Sequence, residues 1–323
     1  METLRNIVLQ ELNELRFSRK HIDAKIRKEI EGSAVMVNRL EQGVALIQEF
    51  LGKTYYQSKM DRLAQLDQLD LPELVMEIFV GIAYSQKPEL LTAVSAQIAT
   101  RIGFDDKVAA LTTTAELLAV LCETDAFDIT KASKMASLMV VSRIPLSEEL
   151  LTYIEESTYL PPMACEPLPL THNYSSGYLT HNDSLILGSG NQHDGDLCLD
   201  VLNTMNKVAL KLDIDFLSQV EEEANISLDS IKEAATSKGE RISEATAQER
   251  YRLAVENWSA FKVQSYKFYY LMQSQGNRFH FCWKVDKRGR IYSCGFHLNP
   301  QGTAFKKASL EFAEEEFVDG VPT

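Results

Sequence analysis

The stretch FHFCWKVDKRGRIYSCGFHLNPQGTAFKKASLEFA, residues 279–313, carries the clearest structural pattern in the chain. Apolar and polar side chains alternate on both sides of Asp286-Lys-Arg-Gly-Arg290, which is typical of two strands joined by a tight turn. Aspartate at the first position and glycine at the fourth favour a type I turn over 286–289. The sequence therefore predicts a β-hairpin with a charged tip, followed by the polar turn Asn299-Pro-Gln-Gly302.

The charge of this region differs from that of the whole chain. The 323 residues carry a net charge of −13, which by itself argues against binding to phosphates. Residues 276–307, however, contain seven lysines and arginines and one acid, a local charge of +6. Arginines on a rigid hairpin can contact adjacent phosphates, Tyr292 offers a stacking face, and Asp286 is placed to orient an arginine. The alternative is a solvated charged turn without a ligand.

The overall composition is that of a globular protein, with 45% apolar and 24% charged residues. No apolar run approaches the ~18–20 residues that span a bilayer, so we expect no membrane contact. The N-terminal residues have charges throughout and do not resemble a signal peptide. Five cysteines without paired spacing predict reduced thiols in a cytoplasm.

Residues 1–157 are predicted to form a helical N-terminal domain. Apolar residues recur at helical spacing in two segments: Leu4, Val8, Leu12 and Leu15, then Leu40, Val44, Ile47 and Leu51. Asp70 followed by Pro72 predicts a helix start with a capping carboxylate, and Ser147 predicts another start.

The rest of the chain divides into three segments. Residues 158–197 contain four prolines that prevent a helix and several glycines that permit turns, so they are predicted to be a connector. Residues 198–275 are predicted to be a projecting helical hairpin, with an apolar stripe from Leu202 to Val220, a tip at Lys238-Gly-Glu240 and a second helix over 248–275. Residues 276–323 hold the β-hairpin. The predicted fold class is mainly α with a small β portion.

Together these motifs resemble the single-subunit RNA polymerases of phages and mitochondria. The shared pattern is Asp-x-x-Gly-Arg, a tyrosine two residues later, an Asn-Pro-Gln-Gly turn and a closing Leu-x-x-Ala. It stands here as Asp286–Arg290, Tyr292, Asn299–Gly302 and Leu310–Ala313. Upstream, Leu160-Pro-Pro-Met163 and Ser176-Gly-Tyr178 are similar to the family's proline-rich stretch and glycine-tyrosine turn, and 203–206 to the start of its thumb. The resemblance covers roughly residues 100–313 and is most specific over 286–313.

The resemblance implies that residues 198–275 form a thumb-like helical hairpin and that the β-hairpin begins a polymerase palm. It implies that Arg290 and Tyr292 contact template DNA and the RNA–DNA hybrid, with Arg288 and Lys307 as further contacts. The residues expected to shape the two turns are Asp286, Gly289, Asn299, Pro300 and Gly302.

The resemblance also implies a divided enzyme. The family's catalytic motifs, including its two metal-binding aspartates, follow this hairpin, and none is found between Ala313 and Thr323. We therefore expect no catalytic residue here and no activity for the chain alone, because two-metal nucleotidyl transfer requires both carboxylates. A larger subunit would bind Mg²⁺ and the nucleoside triphosphates, and a single-stranded-DNA-binding factor would recruit the complex, in the cytoplasm of an infected bacterium.

Two other features favour structural interpretations. Residues His172, His181 and His193 with neighbouring aspartates have no metal-ligand spacing and indicate a polar loop, so no metal site is predicted. The aromatic residues between Trp258 and Tyr270 are more typical of helix packing than of base stacking. The functional alternative to the polymerase subunit is a non-enzymatic nucleic-acid-binding or transcription-regulating protein that retains the hairpin, and a third interpretation is that the chain is a segment of a longer polypeptide.

Overall fold

The computed structural model describes residues 2–66, 68–103, 106–131, 137–188, 191, 195–220 and 226–314. It is mainly helical with small antiparallel sheets, so the predicted fold class is confirmed at that level. The chain forms two compact units, one of Arg19–Glu155 and one that combines Met1–Ser18 with Glu156–Thr323. None of the described helices has the length and apolar character needed to span a bilayer.

The helices are α1 (Glu2–Arg16), α2 (Arg19–Gly32), α3 (Ala34–Leu51), α4 (Gln57–Leu63), α5 (Leu71–Ala83), α6 (Leu91–Ile102), α7 (Lys107–Leu121), α8 (Glu148–Glu156), α9 (Leu199–Asn206), α10 (Ile214–Ser218), α11 (Leu228–Ser237), α12 (Glu244–Ser274) and α13 (Ala304–Ala308). The strands are β1 (Glu89–Leu90), β2 (Phe127–Lys131), β3 (Leu138–Ser142), β4 (Ala209–Leu212), β5 (Phe279–His280), β6 (Trp283–Val285), β7 (Ile291–Ser293) and β8 (Leu310–Phe312).

The Arg19–Glu155 unit is built around α5. This helix is apolar on nearly all sides, which is the pattern of a buried helix, and every residue from Leu74 to Ala83 except the half-buried Glu77 is buried. It begins at Leu71, directly after Asp70, but the predicted side-chain cap is wrong because the Asp70 carboxylate makes no capping hydrogen bond. The cap at α8 is confirmed: Ser147 Oγ accepts from the Leu150 N–H at 3.2 Å.

This unit also contains a sheet that the helical spacing did not indicate. Strands β2 and β3 pair antiparallel with Ile129 opposite Val140, and β1 pairs with the other edge of β3. Phe127 and Val140 are buried in the helical core, so the sheet covers one side of it.

The second unit contains a correction in the predicted thumb segment. The apolar stripe from Leu202 to Val220 is not one helix: α9 ends at Asn206, β4 follows, and α10 is short. Strand β4 is the centre of a sheet in the order β5-β4-β8, and the Asn277 side chain pairs with both backbone groups of Leu212. Hydrogen bonds on both sides of the segment outweigh its helical periodicity.

The second predicted helix of that segment is present as α12. Its 31 residues give a length of about 46 Å. The shorter α11 packs against it, and the predicted tip is a turn in which Gly239 adopts a φ of 73°. The result is a long helix with a short partner rather than two long helices.

Helix α1 is present where the spacing predicts it, but it buries its polar face and exposes its apolar face, the reverse of an ordinary amphipathic helix. The stripe Leu4, Val8, Leu12 and Leu15 is exposed, at 68%, 47%, 55% and 55%. Gln10, Asn13 and Glu14 are buried instead, at 0%, 5% and 3%. The helix is therefore attached to its own unit through polar side chains.

Candidate nucleic-acid interface

The charged turn lies at the end of the β6–β7 hairpin. The two strands pair antiparallel, with Trp283 opposite Ser293 and Val285 opposite Ile291. The Gly289 N–H donates to the Asp286 carbonyl at 2.9 Å, which closes the turn. Gly289 has a φ of 81°, a conformation that costs other L-residues about 1–2 kcal/mol. The turn that the sequence predicts is thus present with glycine at the position that requires it.

Asp286 holds this turn through its carboxylate. Oδ1 accepts from the backbone N–H groups of Arg288 and Arg290 at 2.9 and 3.0 Å, and Oδ2 accepts from Arg290 Nε at 2.7 Å. Desolvation acts to raise the pKa of Asp286, but the hydrogen bonds and charge of Arg290 outweigh it and lower that pKa. The same ion pair raises the pKa of Arg290. Asp286 therefore stays ionised and fixes the direction of the Arg290 guanidinium.

The basic side chains of the tip remain accessible to a ligand. Arg288 is 73% exposed and Arg290 54%, although both pair with Asp286, Arg290 closely at 2.6 Å and Arg288 more loosely at 3.5 Å. The guanidinium of Arg290 lies 5.6 Å from the centre of the half-buried Tyr292 ring. Lys307 is exposed on α13. An arginine held on one side by a carboxylate keeps its remaining N–H groups for a phosphate, which it binds by charge-assisted hydrogen bonds.

The positive patch is smaller than the count of +6 suggests. Arg278 pairs with Glu314 at 2.8 Å, and Lys284 pairs with Asp183 of the connector. The Lys306 ammonium donates to the Phe296 carbonyl oxygen, and desolvation lowers its pKa. Acids that are distant in sequence therefore neutralise part of the patch. The exposed cations of this region that do not pair with a distant acid in the described residues lie at 287–290 and at Lys307.

The Asn299–Gly302 turn is hydrogen-bonded to the hairpin. Asn299 Oδ1 accepts from Ser293 Oγ at 2.9 Å and from the Gln301 N–H at 2.7 Å, and Gly302 N–H donates to the Asn299 carbonyl at 3.0 Å. Gln301 Oε1 accepts from the Ser293 N–H at 2.9 Å, and its Nε2 donates to the Ile291 carbonyl at 3.0 Å. The turn and β7 therefore form one rigid piece, and Gln301, which the sequence did not single out, makes two of the bonds.

The remaining turn residues have simple roles. Pro300 lies half-buried between Asn299 and Gln301. A Cβ on Gly302 would lie 2.7 Å from Lys306 Cδ and 3.1 Å from the Asn299 carbonyl oxygen, so glycine permits this close approach.

Aromatic side chains of α12 pack against the segment that follows the hairpin. The Trp258 and Phe305 rings meet edge to face at 5.1 Å, and the Phe268 ring stacks on His297 at 4.4 Å. His297 is buried, and its Nδ1 is 2.9 Å from Ser265 Oγ. Burial lowers the pKa of His297 to about 4, so the ring is neutral at physiological pH. These contacts agree with packing as the role of Trp258 and Phe268, while Tyr270 is 71% exposed.

The described residues contain no group of three or more histidine, cysteine or acidic side chains arranged to hold a metal ion. His193 and Asp194 lie outside the described residues. His172 Nδ1 accepts from the Tyr174 N–H at 3.2 Å, a local turn contact.

No protein-family model matches the chain, and no curated protein sequence is significantly similar to it.

Proposed function

We propose that the chain is a non-catalytic subunit of a split, single-subunit-type DNA-dependent RNA polymerase. The observation that carries this proposal is the Asp286–Arg290 hairpin, whose carboxylate fixes one arginine and whose tip presents exposed cations on a rigid support. That geometry suits phosphates at defined positions better than a mobile charged loop would. Many kinds of protein bind phosphates, and we choose a polymerase because the motifs over 286–313 resemble those of this family.

In this proposal the described residues have separate roles. Arg290 and Tyr292 contact template DNA and the RNA–DNA hybrid, with Arg288 and Lys307 on neighbouring phosphates. Asp286, Gly289 and the 299–302 turn hold these side chains in place. The β-hairpin begins the palm, and α11 with α12 forms the thumb that closes over the duplex.

A larger subunit completes the enzyme in this proposal. It supplies the palm aspartates that bind Mg²⁺ and the fingers that bind nucleoside triphosphates, because two-metal nucleotidyl transfer requires both carboxylates. The chain resembles the smaller subunit of the two-subunit polymerase of Enquatrovirus-type phages, and in this proposal it acts in the cytoplasm of an infected bacterium. A single-stranded-DNA-binding factor recruits the complex to its promoters.

The test is transcription by the chain reconstituted with a polypeptide of the same genome that carries the palm aspartates. We expect elongation on a preformed RNA–DNA scaffold only when both chains are present. Arg290→Ala should slow elongation by at least about tenfold, leave subunit assembly intact, and reduce the salt slope of scaffold binding by about 1, because one phosphate contact is lost.

The matched control is Arg143→Ala in the other unit. Arg143 is 52% exposed and its Nε donates to Asp128 at 2.6 Å, so it resembles Arg290 in exposure and pairing. Wild-type elongation by the Arg290→Ala complex would refute the role of the hairpin. A monodisperse chain that binds DNA alone and assembles with no second polypeptide would instead favour the regulatory protein.

A further inference from the structure

The two edges of the β6–β7 hairpin are covered in different ways. On the β6 edge, the Val285 N–H donates to the Leu185 carbonyl at 2.9 Å and the Leu187 N–H donates to the Val285 carbonyl at 2.8 Å, so backbone pairs with backbone. On the β7 edge the sheet ends, because among the described residues it has two strands, β6 and β7. The backbone groups that β7 turns away from β6 therefore need partners other than a strand.

Two amide side chains of the turn that follows β7 take the place of a third strand on this edge. Gln301 Nε2 donates to the Ile291 carbonyl at 3.0 Å, and its Oε1 accepts from the Ser293 N–H at 2.9 Å. Asn299 Nδ2 donates to the Gly295 carbonyl at 2.8 Å. The three bonded residues of this segment alternate, as they would opposite a neighbouring strand. The turn thus satisfies the β7 edge with side chains alone.

The two bonds of Gln301 enclose Tyr292. The Ile291 carbonyl belongs to the peptide group before Tyr292, and the Ser293 N–H belongs to the peptide group after it, so one amide fixes the backbone on both sides of this residue. In the other direction, Tyr292 pairs with Lys284 of β6. A strand whose backbone is fixed in this way also fixes the direction in which its side chain leaves.

The guanidinium of Arg290 is positioned by a different residue. Arg290 Nε donates to Asp286 Oδ2 at 2.7 Å, and the Arg290 N–H donates to Oδ1 at 3.0 Å. Tyr292 lies two residues later, on the same face of the strand, with its ring centre 5.6 Å from the guanidinium. The hairpin therefore has one side chain that orients its arginine and another, Gln301, that fixes the strand beneath its aromatic ring.

We propose that Gln301 is a positioning residue for Tyr292, which it holds at the orientation in which a base of the bound nucleic acid stacks on the ring. Both ends of the Gln301 amide are engaged by β7, so its role is exerted through the strand rather than by contact with the nucleic acid. This inference rests on the proposed function, since it takes Tyr292 as a contact to template DNA and the RNA–DNA hybrid.

The experiment measures the affinity of the complex with the larger subunit for a preformed RNA–DNA scaffold at several salt concentrations. Gln301→Met keeps the length of the side chain but removes its hydrogen-bonding groups, and it should raise the dissociation constant about fivefold. The salt slope should stay at its wild-type value because no phosphate contact is lost, whereas Arg290→Ala should reduce it by about 1. The matched control, Gln97→Met, changes an exposed glutamine of α6 in the other unit and should alter neither quantity.

A double-mutant cycle tests whether Gln301 acts through Tyr292. Tyr292→Ala should raise the dissociation constant at least about fivefold, because a base loses its stacking surface. Adding Gln301→Met to Tyr292→Ala should raise it by less than about twofold more, since the ring that Gln301 positions is already absent. In Gln301→Met alone, the Ser293 amide should exchange its hydrogen at least about tenfold faster, while the rest of the chain exchanges as in the wild type.

The possible outcomes separate this inference from the proposed function. An equal effect of Gln301→Met with and without the Tyr292 ring would overturn the positioning role. A fall in the salt slope like that of Arg290→Ala would do the same, because it would show that the hairpin as a whole is lost. Wild-type affinity of Gln301→Met beside a weakened Tyr292→Ala would overturn the inference and leave the proposed function standing. Failure of the wild-type complex to bind the scaffold would instead count against the proposed function.

Discussion

Glu14→Gln should release α1 from its unit. The carboxylate is 3% exposed and accepts five hydrogen bonds, including one from Gln10 Nε2 at 2.9 Å. A glutamine has one acceptor oxygen, so even in its better orientation the Leu179 N–H and the Gln10 Nε2 group are left without an acceptor, at about 1–3 kcal/mol each. The bonds from Thr180 and His181 remain but lose their charge assistance, and each is weakened by about 1 kcal/mol. A neutral amide is easier to bury than a carboxylate, which offsets part of this cost. The free energy that holds α1 on its unit should therefore fall by about 3 kcal/mol.

Amide hydrogen exchange of residues 2–16, followed by mass spectrometry, measures this loss directly. A loss of about 3 kcal/mol corresponds to exchange that is roughly a hundredfold faster if α1 opens locally. Glu11→Gln is the matched control, because Glu11 is an exposed acid on the same helix. Exchange in Glu14→Gln within about twofold of wild type, or an equal effect of Glu11→Gln, would refute the reasoning.

The hydrogen bonds of the Glu14 carboxylate also predict that the exchange protection of α1 depends on pH. Desolvation acts to raise the pKa of Glu14, but the hydrogen bonds from Gln10, Leu179 and Thr180 outweigh it and lower that pKa below 4.5. A lowered carboxyl pKa contributes stability that is present above the unfolded value and is lost as the pH falls through the folded value. Protection of α1 in the wild type should therefore decrease below about pH 4.5, while Glu14→Gln should show no such step.

Two further predictions concern the hairpin region. Burial lowers the pKa of His297 from 6.5 to about 4 in the folded state. Between these values the unfolded state binds one more proton than the folded state. The free energy of unfolding should therefore fall by about 3 kcal/mol from pH 6.5 to pH 4. Denaturant titrations of His297→Gln should show a flatter pH profile, and an unchanged profile would contradict the assignment. Gly289→Ala should lower stability by about 1–2 kcal/mol, whereas Gly289→Asn should lose less because asparagine tolerates a positive φ; equal melting temperatures for the two variants would argue against strain at this turn.

The sequence predicted those elements whose signals are local. The hairpin at 283–293 follows from alternation around Asp286 and Gly289, and α12 follows from a long segment without proline or glycine. The strand at Ala209–Leu212 was missed because its partners, Phe279 and Phe312, lie about 70 and 100 residues away, and nothing in the segment itself opposes a helix. The pairs β1–β3 and β2–β3 were missed for a related reason, since helical periodicity dominates the surrounding sequence.

The candidate site shows the same division between local and distant information. The contact of Asp286 with Arg290 spans four residues and could be inferred from the motif. The neutralisation of Lys284 by Asp183 and of Arg278 by Glu314 could not, because net charge in a window does not report which acids fold back onto it. The exposed positive patch that is left is smaller than the charge count of 276–307 suggests, which agrees with the proposed contact to a few defined phosphates better than with a broad electrostatic surface.

The orientation of α1 illustrates why periodicity cannot decide which side of a helix is buried. A stripe of leucines implies that some surface covers it, but the covering surface can belong to another chain. In this unit the 179–181 segment presents three consecutive N–H groups, and Glu14 satisfies them at a point where a leucine would leave them unpaired. Hydrogen bonding to a backbone segment that is distant in sequence therefore determines which face of α1 is buried.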